Sequence, residues 1–142
     1  MSQESTTPDL VELTRDYYEL MDRDWDIDAV MRFWAPDAVF DLSPMGLLTR
    51  IEGAAAIRES IADWWATWEQ HHHYVDEIRD VGHGVVLVVL REDGRIMGSD
   101  AWVEQRAARV NVWVRDKIVL SVAFGDIDRA RAHAERLAQE RG

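Results

Sequence analysis

Cysteine is absent from this 142-residue chain, and proline occurs three times. Without cysteine there are no disulfides, no thiolate nucleophiles and no zinc sites built on sulfur. Long apolar runs are missing too. The longest, Val85 to Leu90, has six residues, which suits a strand and falls far short of the roughly 20 needed to span a membrane. Positive charge is scarce: 16 Lys and Arg against 27 Asp and Glu leave a net charge of −11. Such a surface repels polyphosphate, so nucleic acid and anionic membranes are not expected as partners. The first ten residues, MSQESTTPDL, have neither a basic start nor an apolar stretch. No targeting signal is expected, and the chain reads as soluble and cytoplasmic. What is abundant is indole: seven Trp stand beside three Tyr and three Phe. That many must line a core, a pocket or an interface.

The length suits one domain spanning 1–142, large enough to bury about 70% of its unfolded surface. Residues 1–8 read as a flexible lead-in, with Thr7-Pro8-Asp9 supplying a cap and a first-turn proline. Leu10, Leu13 and Tyr17 then recur at helical spacing. A second helix is expected from Asp26, turning Ile27, Val30, Phe33 and Trp34 inward and ending at Pro36. A short strand, Ala38 to Leu42, precedes a third helix over Ala54 to Glu69 that carries Ile57, Ile61, Trp64 or Trp65, and Trp68 on one face. The period then changes. His72–Val81, Val85–Arg91, Arg95–Val114 and Lys117–Phe124 read as strands, separated by turns at Gly82-His83-Gly84, Glu92-Asp93-Gly94 and Arg115-Asp116. The third strand is overlong and predicts a bend or bulge near Glu104–Ala108 that would curl the sheet. A charged helix from Asp126 to Glu140 follows, with a thin stripe of Ile127, Ala130, Ala134 and Leu137. The expected class is α+β: a cone at 9–125, in which a curved antiparallel sheet wraps three N-terminal helices, plus a C-terminal helix within 126–142.

Several passages in this order resemble the nuclear transport factor 2-like superfamily, in particular its SnoaL-like, polyketide cyclase-like members. They are Tyr17-Tyr18 ahead of Asp26-Ile27-Asp28-Ala29, Phe33-Trp34-Ala35-Pro36-Asp37-Ala38-Val39-Phe40, Glu52-Gly53, Trp64-Trp65 with Trp68-Glu69, Asp80-Val81-Gly82, Gly98-Ser99 and Val112-Trp113-Val114-Arg115-Asp116. The resemblance covers roughly residues 9 to 130. It implies a cone with an apolar pocket at its open end, and a homodimer formed through the outer sheet face. The reaction stays open, because this fold hosts isomerases, dehydratases, epoxide hydrolases, cyclases and plain binders. Steroid-isomerase-like chemistry needs a carboxylate base where this chain has Leu42 and a donor Asp near Arg109, so of its parts only Tyr18 remains. Epoxide-hydrolase-like chemistry lacks its carboxylate at Ser121 and Ala123. Cyclase-like chemistry could draw its carboxylate from Asp100 or Glu104.

His71-His72-His73 is the most conspicuous polar feature. If His71 and His73 alternate onto the concave face, His73 is a candidate acid–base group; otherwise the run is solvated at a helix end. No third ligand is spaced to match the two imidazoles, so no metal is expected, and no motif implies a cofactor. Arg109, Asn111 and Trp113 share one strand face. Turned inward, Arg109 would need an acid such as Asp41, Asp100 or Glu104, or an anionic ligand oxygen; turned outward, the face is simply polar surface. Tyr18 is either a third oxyanion donor or a packed core residue. Phe40, Leu42, Trp65, Trp102, Asn111, Trp113 and His71 complete the candidate wall around a small hydrophobic or aromatic ligand. Asp24, Asp26 and Asp28 read as helix caps. The expected function is a cofactor-independent cyclase, isomerase or dehydratase, with a non-catalytic binding protein or dimeric scaffold as alternatives.

Overall fold

The structure, a computed structural model, describes residues 8–23, 25–47 and 49–142. The lead-in through Thr7, and Asp24, lie outside the described residues. Helix α1 (Leu10–Arg23) starts on Asp9, whose Oδ1 accepts from the Glu12 amide at 3.2 Å. It buries Thr14, Tyr17, Tyr18 and Met21. Helix α2 (Ile27–Met31) is capped by Asp26, which accepts from the Ala29 amide. It stops short of the expected Pro36, because β1 (Trp34–Asp41) already begins at Trp34, which pairs with Ile118. Pro36 falls where the register shifts between Trp34 and Val39, a position at which a missing N–H removes no ladder bond. A 3₁₀ turn (Ser43–Met45), β2 (Arg50–Glu52) and α3 (Ala54–Thr67) follow. Trp68, expected on α3, is instead the first residue of β3 (Trp68–Gly82).

The meander continues through β4 (Val85–Ile96), β5 (Trp102–Val114) and β6 (Lys117–Phe124), and α4 (Ile127–Arg141) closes the chain. The strand order is β2-β1-β6-β5-β4-β3, with β1 parallel to β6 and every other pairing antiparallel. Two expectations are corrected here. Strands β4 and β5 pair without interruption from Val85↔Val112 to Arg95↔Trp102, so Glu92-Asp93-Gly94 is not a turn and the pairing of β5 with β4 has no bulge at 104–108. Gly94 serves close approach instead: a Cβ there would lie 2.1 Å from the Gln70 carbonyl oxygen and 2.9 Å from the Trp68 ring. Register irregularities sit mainly in β3, at Trp68/Gln70, Val75/Glu77 and Asp80/Gly82, with a further one between β5 and β6 at Val112/Trp113.

Strand parity sorts the sheet into two faces. Val86, Val88, Leu90 and Trp113 face the three N-terminal helices and share a core with Tyr17, Tyr18, Val30, Ile57 and Ile61. Val85, Leu87, Val89, Val110, Val112, Val122 and Phe124 face outward and are covered by Ala130, Ala134 and Ala138 of α4. Small residues at that spacing let the helix lie close on the valines. Arg131 of α4 also grips Glu77 of β3 through two hydrogen bonds of 2.6 and 2.8 Å. Part of the outer face, across β4, β5 and β6, is covered by the chain's own last helix. No helix among the described residues is long and apolar enough to cross a membrane.

Candidate functional site

Between the inner sheet face and the helices lies a cavity of about 450 Å³. Its walls are largely apolar, drawn from Met21, Trp34, Phe40, Leu42 and Ile61. Three sets of polar side chains enter it from the sheet.

The first set is a directed relay. Ser121 and Asn111 are opposite one another on β6 and β5, and Ser121 Oγ donates to Asn111 Oδ1 at 2.6 Å. The Asn111 amide nitrogen donates in turn to the Tyr18 hydroxyl oxygen at 3.2 Å. Tyr18 thus has its oxygen engaged as an acceptor while its own hydrogen remains to be given. Burial pushes its pKa up, against the opposing charge of Arg109 and the Asn111 hydrogen bond, so the phenol stays a donor.

Arg109 makes the second set. Its guanidinium carbon lies 5.6 Å from the Phe40 ring centroid. Its Nη1 is buried and without a hydrogen-bond partner.

The third set centres on a residue the sequence pattern had assigned to a turn. Glu92 pairs across the strands with His73, and both side chains are 3% exposed. Glu92 Oε1 lies 2.8 Å from His73 Nε2 and 3.5 Å from His71 Nε2. Its other oxygen accepts from Gln105 Nε2 at 2.8 Å. Burial alone would raise the Glu92 pKa, but the two imidazoles and the charge on Arg109 outweigh it and hold the carboxyl far below the usual range. An ionised carboxylate can only accept, so His73 Nε2 carries a proton in this pair, and in the neutral imidazole Nδ1 keeps a lone pair. That Nδ1 has no partner.

Of the residues singled out above, Tyr18, Phe40, Leu42, His73, Arg109 and Asn111 line the cavity. The other four do not. His71 is buried beside the cavity among indoles, with ring centroids 4.7 Å from Trp68, 6.0 Å from Trp64 and 6.4 Å from Trp25. Trp65 stacks on Trp25 at 5.6 Å, and Trp113 packs edge-on to Phe33. Trp102, 51% exposed, stands at the far end of β5. Acids expected beside Arg109 are otherwise engaged or elsewhere: Asp41 lies 3.7 Å from Arg50, and Glu104 is exposed. The carboxylate that senses the guanidinium is Glu92. The premise that the histidines lack a third ligand is also overturned, because ligand atoms of His71, His73 and Glu92 lie within 4.8 Å of one another. One signal was available. Continuing the inward parity of Val86, Val88 and Leu90 by one more step reaches Glu92.

A family model described as a SnoaL-like domain matches residues 14–121. No curated protein matches the sequence. Among solved structures, the chain is similar to a candidate aromatic ring hydroxylase from Novosphingobium aromaticivorans, at 25% identity over 85% of this chain and 93% of that one, TM-score 0.69. It is similar to a candidate SnoaL-like polyketide cyclase from Jannaschia sp. CCS1, at 14% identity over 95% and 97%, TM-score 0.73. A third is TerC co-crystallised with polyporic acid, at 17% identity over 88% and 97%, TM-score 0.69.

Proposed function

The chain belongs to the SnoaL-like domain family, and on that premise we propose that its cavity binds a small, apolar, oxygen-bearing molecule and catalyses a cofactor-free proton transfer on it. The observation that carries this reading is that His73, backed by Glu92, lines one cavity with Tyr18 and Arg109, while the imidazole Nδ1 and Arg109 Nη1 are buried there without partners and the Tyr18 hydroxyl hydrogen is unused. His73 would take a proton from the carbon next to a carbonyl. The electron pair of that C–H bond moves into an enolate, whose oxygen is held by Tyr18 and Arg109. The imidazolium, stabilised by Glu92, then returns the proton to another carbon in an isomerisation or to a departing hydroxyl in a dehydration. Polyporic acid, the compound co-crystallised with TerC, lends this substrate class support by analogy.

The test is deuterium exchange. 2-Tetralone, a flat enolisable ketone, is incubated with the protein in D₂O and followed by NMR. The wild type is expected to speed exchange, and His73→Gln to lose at least about 100-fold of that acceleration. If 2-tetralone and a panel of enolisable aryl ketones quench Trp fluorescence saturably yet never exchange faster than buffer, the pocket binds without catalysing.

A further inference from the structure

His71 plays no part in the proton transfer above, yet its placement is costly. Its side chain is 0% exposed, it sits among Trp25, Trp64 and Trp68, and neither ring nitrogen has a hydrogen-bond partner. A neutral imidazole must carry one N–H, and leaving it unsatisfied in an apolar setting costs about 1–3 kcal/mol. Something polar is expected to use that ring. The neighbours are suggestive: His71 and His73 are two apart on β3, so both point to the inner face, and Glu92 enters from the adjacent strand directly opposite His73.

We propose that His71, His73 and Glu92 form a binding site for one divalent first-row transition ion, with zinc as its probe. Two imidazoles and a carboxylate make a three-ligand set with at least one coordination position left open. The Nε2–Oε1 separations of 2.8 and 3.5 Å bracket the ligand–ligand spacing of about 3.3 Å that follows from bonds near 2.0 Å at a tetrahedral centre. Gln105, which donates to the second oxygen of Glu92, supplies the outer contact that orients a ligating carboxylate. Access runs through the cavity, which His73 and Glu92 both line. The ion would occupy His73 Nε2, so the single proton of the neutral imidazole moves from Nε2 to Nδ1, which thereby loses its lone pair. Metal binding and proton transfer are therefore exclusive states of one cluster, and zinc is expected to act as an inhibitor.

The experiment titrates metal-stripped, full-length protein with Zn²⁺ by calorimetry and with Co²⁺ by visible absorption. One equivalent is expected to bind, with the intense Co²⁺ bands of a tetrahedral site. His71→Ala and Glu92→Gln should each weaken it by at least about 100-fold, since losing a ligand exceeds the ~10–100-fold effect of losing an outer-shell partner. His72→Ala, one residue away and turned outward with a half-exposed side chain, should leave it unchanged. No one-equivalent binding, or binding lost with His72 but not His71, overturns the proposal. Should the variants fail to fold, ring-nitrogen NMR of the wild type decides: Zn²⁺ must shift His71 and His73 together, and unmoved rings overturn it. The two readings also fail separately. Ketone exchange that Zn²⁺ leaves untouched removes the metal site alone, and one-equivalent binding without any exchange removes proton transfer alone.

Discussion

Along β5, neighbouring side chains enter two environments that differ in every respect except the strand they share. Ala108, Val110 and Val112 point outward and are at most 2% exposed, sealed under the alanine stripe of α4. Arg109 and Asn111 point inward, into a cavity with unused donors. Beneath α4 the outer face is apolar and closely packed, so its free energy is the burial of valine and leucine methyls. The inner face keeps a guanidinium nitrogen, an imidazole nitrogen and a phenolic hydrogen without partners. Such groups cost stability when nothing is bound and contribute affinity when something is. One sheet thus separates a structural face from a binding face, and the register of β4 on β5 keeps them apart.

The largest effect that would break this division is expected on the outer face. Leu87, 1% exposed and packed toward α4, should cost about 2–5 kcal/mol on truncation to alanine, as measured by urea unfolding. Ketone binding below the transition should be unaffected. A variant that keeps its stability but loses its ligand would show that the two faces are not separate.

Arg109→Met probes the inner face with the opposite sign. Replacing a guanidinium that has a buried, unpartnered nitrogen by an apolar chain of similar length should leave stability level or raise it by about 1 kcal/mol. Affinity for an oxygen-bearing probe should fall at least tenfold by fluorescence titration. Equal losses of stability and affinity would assign Arg109 to the framework.

The smallest effect concerns the clasp between α4 and β3. Arg131, chiefly through its hydrogen bonds, holds the Glu77 carboxyl below its ordinary pKa, against a weaker opposing effect of burial. A carboxyl depressed in the folded state stabilises above its unfolded pKa of about 4.3 and loses that contribution as pH falls through the lower folded value. The pair is partly exposed and screened, so Glu77→Gln should cost at most about 1 kcal/mol at pH 7. Its acid denaturation profile should be flatter below about pH 4.3; an unchanged acid limb would mean that the clasp contributes nothing.

How much of this was legible depended on the range of the interaction concerned. The class, the helix start at Asp26, the turns at Gly82–Gly84 and Arg115–Asp116, and the shared face of Arg109 and Asn111 are local matters of capping, turn chemistry and side-chain period. A linear pattern records those directly, and so does the −11 charge that set a lone inward arginine apart. The seven Trp were a surplus without an address. The fold divides them into core at Trp34 and Trp113, a wall of Trp25, Trp64, Trp65 and Trp68 near His71, and an exposed Trp102.

Glu92 went the other way. Glu-Asp-Gly is good turn chemistry, and locally it should turn. Tertiary contact overrode it, because eleven cross-strand pairs between β4 and β5 outweigh one turn preference, and the crowding of Trp68 and Gln70 requires a glycine at position 94 for reasons unrelated to turning. The same applies to the outer face: Ile127, Ala130, Ala134 and Leu137 read as a thin stripe, and only packing shows that Ala130 and Ala134, joined by Ala138, lie on the valines. Sequence alone determined what each segment tends to be and which side chains travel together. Which carboxylate meets the histidines, and what covers the sheet, was decided by strand register and helix docking, which arise between residues far apart in the chain and leave no local mark.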